Sequence, residues 1–318
     1  MDLTWSGSAG VFSLESQRPL EVAHAFRIAS MSKTFTGLLV AQLMEQQLLA
    51  VDDSILDYLP TDITAHIRVA PGYNPRDITI AHLLHHRAGF NDFATSAAWH
   101  SVIAADPGRY RSPQEIIAWA LQQGEVIGPP GSTYHYSDTG YVLLGLLLEA
   151  VTGLPYHRLC RERIFDPLAM VDTWLEGYET PRKELSHPYV VMEGAYIDAL
   201  QIHGSVDWAG GGHVATLADI QRFLRGLFNG DLFTREETLN RMLAGSPAGH
   251  GFIYGMGVGR KKLAGKTLWG HLGHWGSFMY YCPEERLSLC GTLNYDQADH
   301  NGFIEQIIAC LFAETSAQ

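Results

Sequence analysis

Strand-like patterns lie at the two ends of this chain and helix-like patterns fill its middle, which restricts the fold more than any compositional figure. Residues 3–14 and 20–26 read as short strands. Residues 267–273, 277–282 and 287–294 read as three antiparallel strands, the last two joined tightly at Pro283-Glu284-Glu285-Arg286. Between them, Phe35, Leu38, Leu39, Leu43 and Met44 follow helical spacing within a helix expected from Ser30 to about Leu48. A short helix is expected near Thr79. Ser112-Pro113-Gln114-Glu115 is an N-cap, a first-turn proline and a capping-box glutamate, so 113–123 is expected to be helical. Apolar helices follow at 139–152, stopped by Gly153, and at 156–165. Another runs from Leu217 to Phe228, closed by Asn229-Gly230, and an amphipathic helix spans 302–314. A sheet must bury a face and pair its strands, so the simplest packing brings the two ends together. The expected fold is α/β (α+β): an antiparallel sheet flanked by helices, drawn from 1–60 and 200–318, with a helical subdomain over 61–199.

The chain has 318 residues, 46% hydrophobic and 18% charged, which suits a globular protein with a sizeable core. A formal net charge of −12 repels phosphate backbones, so no nucleic-acid partner is expected. Cys160, Cys282, Cys290 and Cys310 form no C-x-x-C pair, and a tight turn would pair residue 282 with about 287, so all four read as reduced core thiols. No apolar run approaches the roughly 20 residues of a membrane span. The first residues carry no export-signal pattern, so a cytoplasmic location is expected, although a chain trimmed of such a signal would look the same. His271 and His274 should point to opposite faces of a strand, and His82, His85 and His86 fit a capped, packed helix, so no metal is expected. Gly210-Gly211-Gly212-His213-Val214-Ala215 matches a dinucleotide-binding pattern but lacks its leading strand. No cofactor is expected.

Three stretches carry chemistry. Ser30 and Lys33, within Phe26-Arg27-Ile28-Ala29-Ser30-Met31-Ser32-Lys33, lie three apart at a helix start and share a face. A serine hydroxyl needs a base to become a nucleophile. A lysine serves only where burial and positive potential lower its proton affinity. Lys33 is one of only five lysines, with no other charge between Arg27 and Glu45, near the positive end of an apolar helix. The bland alternative is a surface lysine reaching outward. The second stretch runs from Pro129 through Tyr136-Ser137-Asp138 into a helix. Tyr136 near a lysine can shuttle a proton, while the bland alternative is a loop with an N-cap. The third, Trp269-Gly270-His271-Leu272-Gly273-His274, sets glycines in a strand where a ligand could approach, or is simply core with satisfied histidines.

Taken together and in this order, the three stretches resemble the boxes of the serine β-lactamase and penicillin-binding-protein superfamily, in its class C β-lactamase, D,D-peptidase and family VIII esterase branch. FRIASMSKTFTG is similar to the S-x-x-K box and YSDTGYVLLGLLLEAVTGLPY to the Y-x-N box. GHLG is similar to the K-T-G box in its histidine variant. ITIAHLLHHRAGF, IFDPLAMVDTW and AGGGHVATLADIQRFL agree as flanks. The resemblance implies an antiparallel sheet with a helical subdomain. It implies Ser30 as acylated nucleophile, Lys33 and Tyr136 as proton-transfer partners, and an oxyanion hole from the backbone N–H groups of Ser30 and His274. Asp138, His271, Leu272 and Gly273 are then expected along the substrate.

Two departures bear on substrate. Asp138 stands where asparagine is commoner, and a carboxylate accepts hydrogen bonds without donating. Leu272 replaces a hydroxyl residue. Both argue against efficient β-lactam turnover. The expected function is serine hydrolysis through an acyl-enzyme on a small-molecule ester, amide or peptide, as esterase or D-amino-acid-type peptidase. Acyl transfer by the same intermediate and a silent ligand-binding scaffold are the alternatives. His271 is expected to carry a conditional charge, because free histidine titrates near pH 6.5.

Overall fold

The computed structural model describes residues 4–68, 70, 72–123 and 125–312. It is a mixed helix and antiparallel-sheet fold. The main sheet has six strands in the spatial order Leu287–Gly291, Phe278–Cys282, Lys266–Leu272, Gly259–Leu263, Phe252–Tyr254 and Ser246–Gly249, each antiparallel to its neighbours. The tight turn pairs Cys282 with Leu287, the register expected from the sequence. The expected strands at 267–273, 277–282 and 287–294 are all present, and the three strands before them complete the sheet.

The pairing of the two chain ends differs from expectation. Among the described residues near the start, only Phe26–Arg27 forms a strand, and it joins His213–Ala215 and Trp174–Leu175 in a separate three-stranded sheet. Residues 4–25 are mostly exposed irregular chain with two isolated bridges, Val11 to Pro19 and Ala25 to Leu185, and residue 3 lies outside the described residues. Gly7, Gly10 and Pro19 break up the segment, and little beyond Phe12 offers a face to bury.

Side-chain alternation divides the sheet between two layers. Phe278, Tyr280 and Cys282 face the terminal helix His300–Phe312 through Ile304 and Ile308. Met279 points the other way, into the main core. That core surrounds the helix Ser32–Glu45, whose residues Ser32 to Leu43 are all buried, and the helix Asp138–Thr152, buried from Thr139 to Leu148. The second ends at Gly153, whose φ of +69° is the left-handed conformation of a helix stop. Helices at Pro113–Gln123 and Leu217–Asn229 fall where their capping residues place them. All four cysteines are free, but Cys310 is exposed on the terminal helix instead of buried. Among the described residues, no single helix is long and apolar enough to cross a membrane.

The Ser32–Glu45 helix touches the 255–258 connection backbone to backbone. A Cβ on Gly37 would collide with the Met256 carbonyl, and one on Gly257, already at φ +71°, with the Lys33 carbonyl. Gly37→Ala is therefore expected to destabilise the protein by about 1–3 kcal/mol, since close-packed backbone cannot yield freely. Urea unfolding checks this, and a loss near zero would mean the two segments separate easily.

Candidate active site

The site is built from the turn that precedes the buried helix. Arg27 is itself buried. Its guanidinium bonds both carboxylate oxygens of Glu176 at 2.7 and 2.8 Å and the carbonyls of Ala199 and Ile202 at 2.8 Å. The chain then passes through Ala29 at φ +47°, a conformation that costs a non-glycine residue about 1–3 kcal/mol. The sheet holds it there: Ser277 Oγ donates to the Ile28 carbonyl at 3.0 Å, and Gly273 lacks the Cβ that would strike the same carbonyl. Ser30 is thereby presented, half-buried, at the start of the helix.

Lys33, one turn on, has a side chain with no exposure at all. Its Nζ donates to Ser30 Oγ at 2.9 Å, to the Gly210 carbonyl at 2.7 Å and to the Asp138 carboxylate. Three N–H groups meet three acceptors, so the ammonium is fully satisfied inside the protein. The glycine run thus has a place in the site: a Cβ on Gly210 would come within 2.9 Å of Asp138 Oδ1. It lies in a short helix, Trp208–Gly211, before the strand His213–Ala215, not in a nucleotide-binding βαβ unit.

Lys33 Nζ lies 4.9 Å from the ring centroid of Tyr136. Burial first, and then the Asp138 charge, hold its hydroxyl well above the usual tyrosine range, so it is a phenol at neutral pH. Asp138 opens the Asp138–Thr152 helix, and its backbone N–H donates to Asp92 Oδ1 at 2.9 Å. Asp92 is pushed up to about 7 by burial and then by Asp138. Asp207 is pushed up to about 6 by the same two causes in the same order. Three carboxyl groups therefore gather around one buried lysine.

His271 lies on the site face of its strand, 8% exposed. Its Nδ1 is 2.6 Å from the Leu272 carbonyl and its Nε2 is 2.8 Å from Tyr254 Oη. A carbonyl only accepts, so Nδ1 carries the proton and Nε2 accepts from the tyrosine. Burial, followed by Lys33, lowers His271 to about 3. The expected conditional charge near pH 6.5 is absent, because a desolvated imidazole beside an ammonium stays neutral. Leu272 differs from expectation too. Its side chain packs on the cluster beneath the terminal helix, away from the His271 face, so strand alternation removes it from the substrate side. Gly273 donates its N–H to Ser277 at 2.7 Å and abuts the Ile28 turn. His274 is exposed just beyond. Among the described residues, the backbone N–H groups of Ser30 and His274 donate to no protein acceptor.

Sequence reasoning missed Asp92, Asp207, Tyr254 and the role of His86. His86 closes the Ile80–Leu84 helix, which Thr79 caps in a capping box with His82. It adopts φ +55°, accepts the Ser137 N–H at 3.1 Å, and sets its ring 4.2 Å from that of Tyr136. No short motif links these residues, since each reaches the site from a different segment of the chain.

The neutral state of His271 has a thermodynamic consequence. With a folded value near 3 and an unfolded value near 6.5, the folded protein binds fewer protons between those limits. Stability due to this group is present above pH about 6.5 and lost as pH falls toward 3. His271→Gln should therefore lose less stability than the parent between pH about 6.5 and 4 in urea unfolding. The imidazole NMR signals of His271 should not titrate between pH about 5.5 and 8.5. Titration within that range would mean the ring is solvated.

Comparison with known proteins agrees with this geometry. Residues 2–306 match the Beta-lactamase family. Penicillin-binding protein 4* of Bacillus subtilis is 25% identical over 256 residues, 74% of this chain and 51% of its own length. A D-aminopeptidase of Cereibacter sphaeroides is 25% identical over 316 residues, 95% of this chain and 56% of its own. The crystal structure of D-amino acid amidase from Ochrobactrum anthropi SV3 complexed with D-phenylalanine superposes with a TM-score of 0.81 at 26% identity, over 98% of this chain and 90% of that one. The chain spans about half the length of the curated relatives it matches. It is a member of the Beta-lactamase family.

Proposed function

We propose that this chain is a serine hydrolase that forms an acyl-enzyme at Ser30 and acts on small amides or esters, with D-amino acid amides first among its substrates. The observation that carries this is the 2.9 Å contact between the buried Lys33 ammonium and Ser30 Oγ. The serine hydroxyl is one of the three acceptors of the buried ammonium, and the same contact is the one that proton transfer from serine requires. In this reading Ser30 attacks the carbonyl carbon. Lys33 takes the Ser30 proton and, with Tyr136, returns it to the leaving amine or alcohol. The free N–H groups of Ser30 and His274 receive the developing oxyanion. Such donors are worth about 3–4 kcal/mol each where tested.

Substrate class follows from charge. His271 stands where the resemblance implies a lysine in other members and is neutral, so no fixed cation awaits a substrate carboxylate. Asp92, Asp138 and Asp207 instead set three carboxyl groups against the single ammonium of Lys33, an arrangement that can accept a substrate ammonium. The names of the amidase and aminopeptidase relatives point the same way.

The test is a side-by-side assay of D-phenylalanine amide, L-phenylalanine amide, a neutral short-chain nitrophenyl ester and a chromogenic cephalosporin. Turnover of the ester and the D-amide is expected, with the cephalosporin at least ~10²-fold slower. Ser30→Ala should be inactive and Lys33→Ala should lower kcat by about 10²–10⁴-fold. Full activity in Ser30→Ala would refute the reading.

A further inference from the structure

If Ser30 is the nucleophile of a hydrolase, as proposed above, Lys33 poses a problem that this reading alone leaves open. The amine must have a lone pair to take the Ser30 proton, yet it sits as an ammonium with all three N–H groups engaged. Of its three partners, Gly210 offers a carbonyl, which does not accept a proton at neutral pH. Ser30 is the group to be deprotonated. Tyr136, adjacent to both, is a phenol that burial keeps protonated. The Asp138 carboxylate alone can take a proton from Lys33 directly.

We propose that Asp138 is the resting acceptor of the Lys33 proton, so that the ion pair converts internally to a neutral pair when substrate binds; this rests on the hydrolase reading. One Lys33 N–H bond breaks and an O–H bond forms at Asp138 Oδ1, leaving an amine and a carboxylic acid. The amine then rotates about its Cε–Nζ bond, so that its two remaining N–H groups point to the Gly210 carbonyl and to Asp138 and its lone pair turns to Ser30. It takes the Ser30 proton as Oγ bonds to the acyl carbon. Lys33 is then an ammonium again and the substrate oxygen an anion. On collapse the leaving group takes a Lys33 proton, the C–N or C–O bond breaks, and the Asp138 proton returns to Lys33. No proton enters or leaves the site over the acylation step.

The surroundings favour this exchange. Asp92 and Asp207 set further carboxyl groups beside Asp138, and burial followed by the Asp138 charge raises both of them. Full burial of the Lys33 side chain also lowers the cost of a neutral pair relative to an ionic one. The other titratable neighbours do not compete. His86 and His271 are held neutral by burial, Tyr134 and Tyr141 are raised by it, and partial desolvation lowers His274.

The pH profile of kcat/KM for a neutral ester separates this from the plain-lysine alternative. If Asp138 holds the proton, the unmodified protein needs no net deprotonation, and kcat/KM should be flat between pH about 7.5 and 9.5. In Asp138→Asn, Lys33 must lose its proton to solvent, so the acid limb should move upward. Activity should then fall about 10²-fold at pH about 6 but recover to within about tenfold by pH about 10. Asp138→Glu should restore most of the activity at pH about 6. If Asp138 merely pins the lysine charge, removing it frees the lysine and eases repulsion on Asp92 and Asp207, so the limb moves downward. A downward or unmoved limb, or a tenfold rise per pH unit in the unmodified protein, overturns the proposal. The last result needs no variant and holds even if Asp138→Asn does not fold. Absence of ester turnover and of any Ser30 adduct in the unmodified protein would instead overturn the hydrolase reading beneath it.

Discussion

A fully buried lysine is the constraint around which this structure is arranged. An unpaired ammonium in a protein interior is prohibitively costly, so the chain must supply three acceptors at fixed directions. It draws them from the start of the same helix, from the helix Asp138–Thr152 and from the glycine run before the strand His213–Ala215. The last two lie 105 and 177 residues from Lys33 along the chain. The burial of the two central helices is what brings them to one point, and the apolar packing and the polar site thus depend on each other.

The second feature is how rigidly the serine is presented. Ala29 sits in an unfavourable backbone conformation, held by the Arg27 clamp on one side and by Ser277 and Gly273 of the sheet on the other. Strain of this kind persists only where surrounding structure over-determines it. Here it orients the hydroxyl toward Lys33 and leaves two backbone N–H groups without protein partners among the described residues. A preorganised donor pair beside an activated oxygen costs little reorganisation when charge develops.

Much of this was legible in the sequence, for reasons that differ by residue. Ser30 and Lys33 meet because helical spacing puts them on one face, and helix periodicity and capping signals located the helices at Ser32–Glu45, Pro113–Gln123 and Leu217–Asn229. The C-terminal strands followed from a tight turn and alternation. Tertiary facts were not legible. The segment 4–25 has strand-like residues but no face to bury, so it stays irregular. The charge state of His271 depends on desolvation that alternation alone does not reveal, and Leu272 was placed by motif position when its strand face points to the terminal helix. Asp92 and Asp207 come from loops with no shared pattern, and only the folded chain sets them beside Asp138.

The claim that Ser30 is the activated hydroxyl is tested most directly by locating a covalent adduct. Trypsin cuts after Arg27 and Lys33, and the resulting peptide holds two serines, Ser30 and Ser32. They differ sharply in setting: Ser32 is wholly buried and accepts the His213 N–H at 3.2 Å, while Ser30 is half-buried beside Lys33 Nζ. After reaction with a fluorophosphonate, fragment-ion mass spectrometry of that peptide should place the added mass on Ser30. An adduct on Ser32, on another serine or nowhere in the chain would contradict the account.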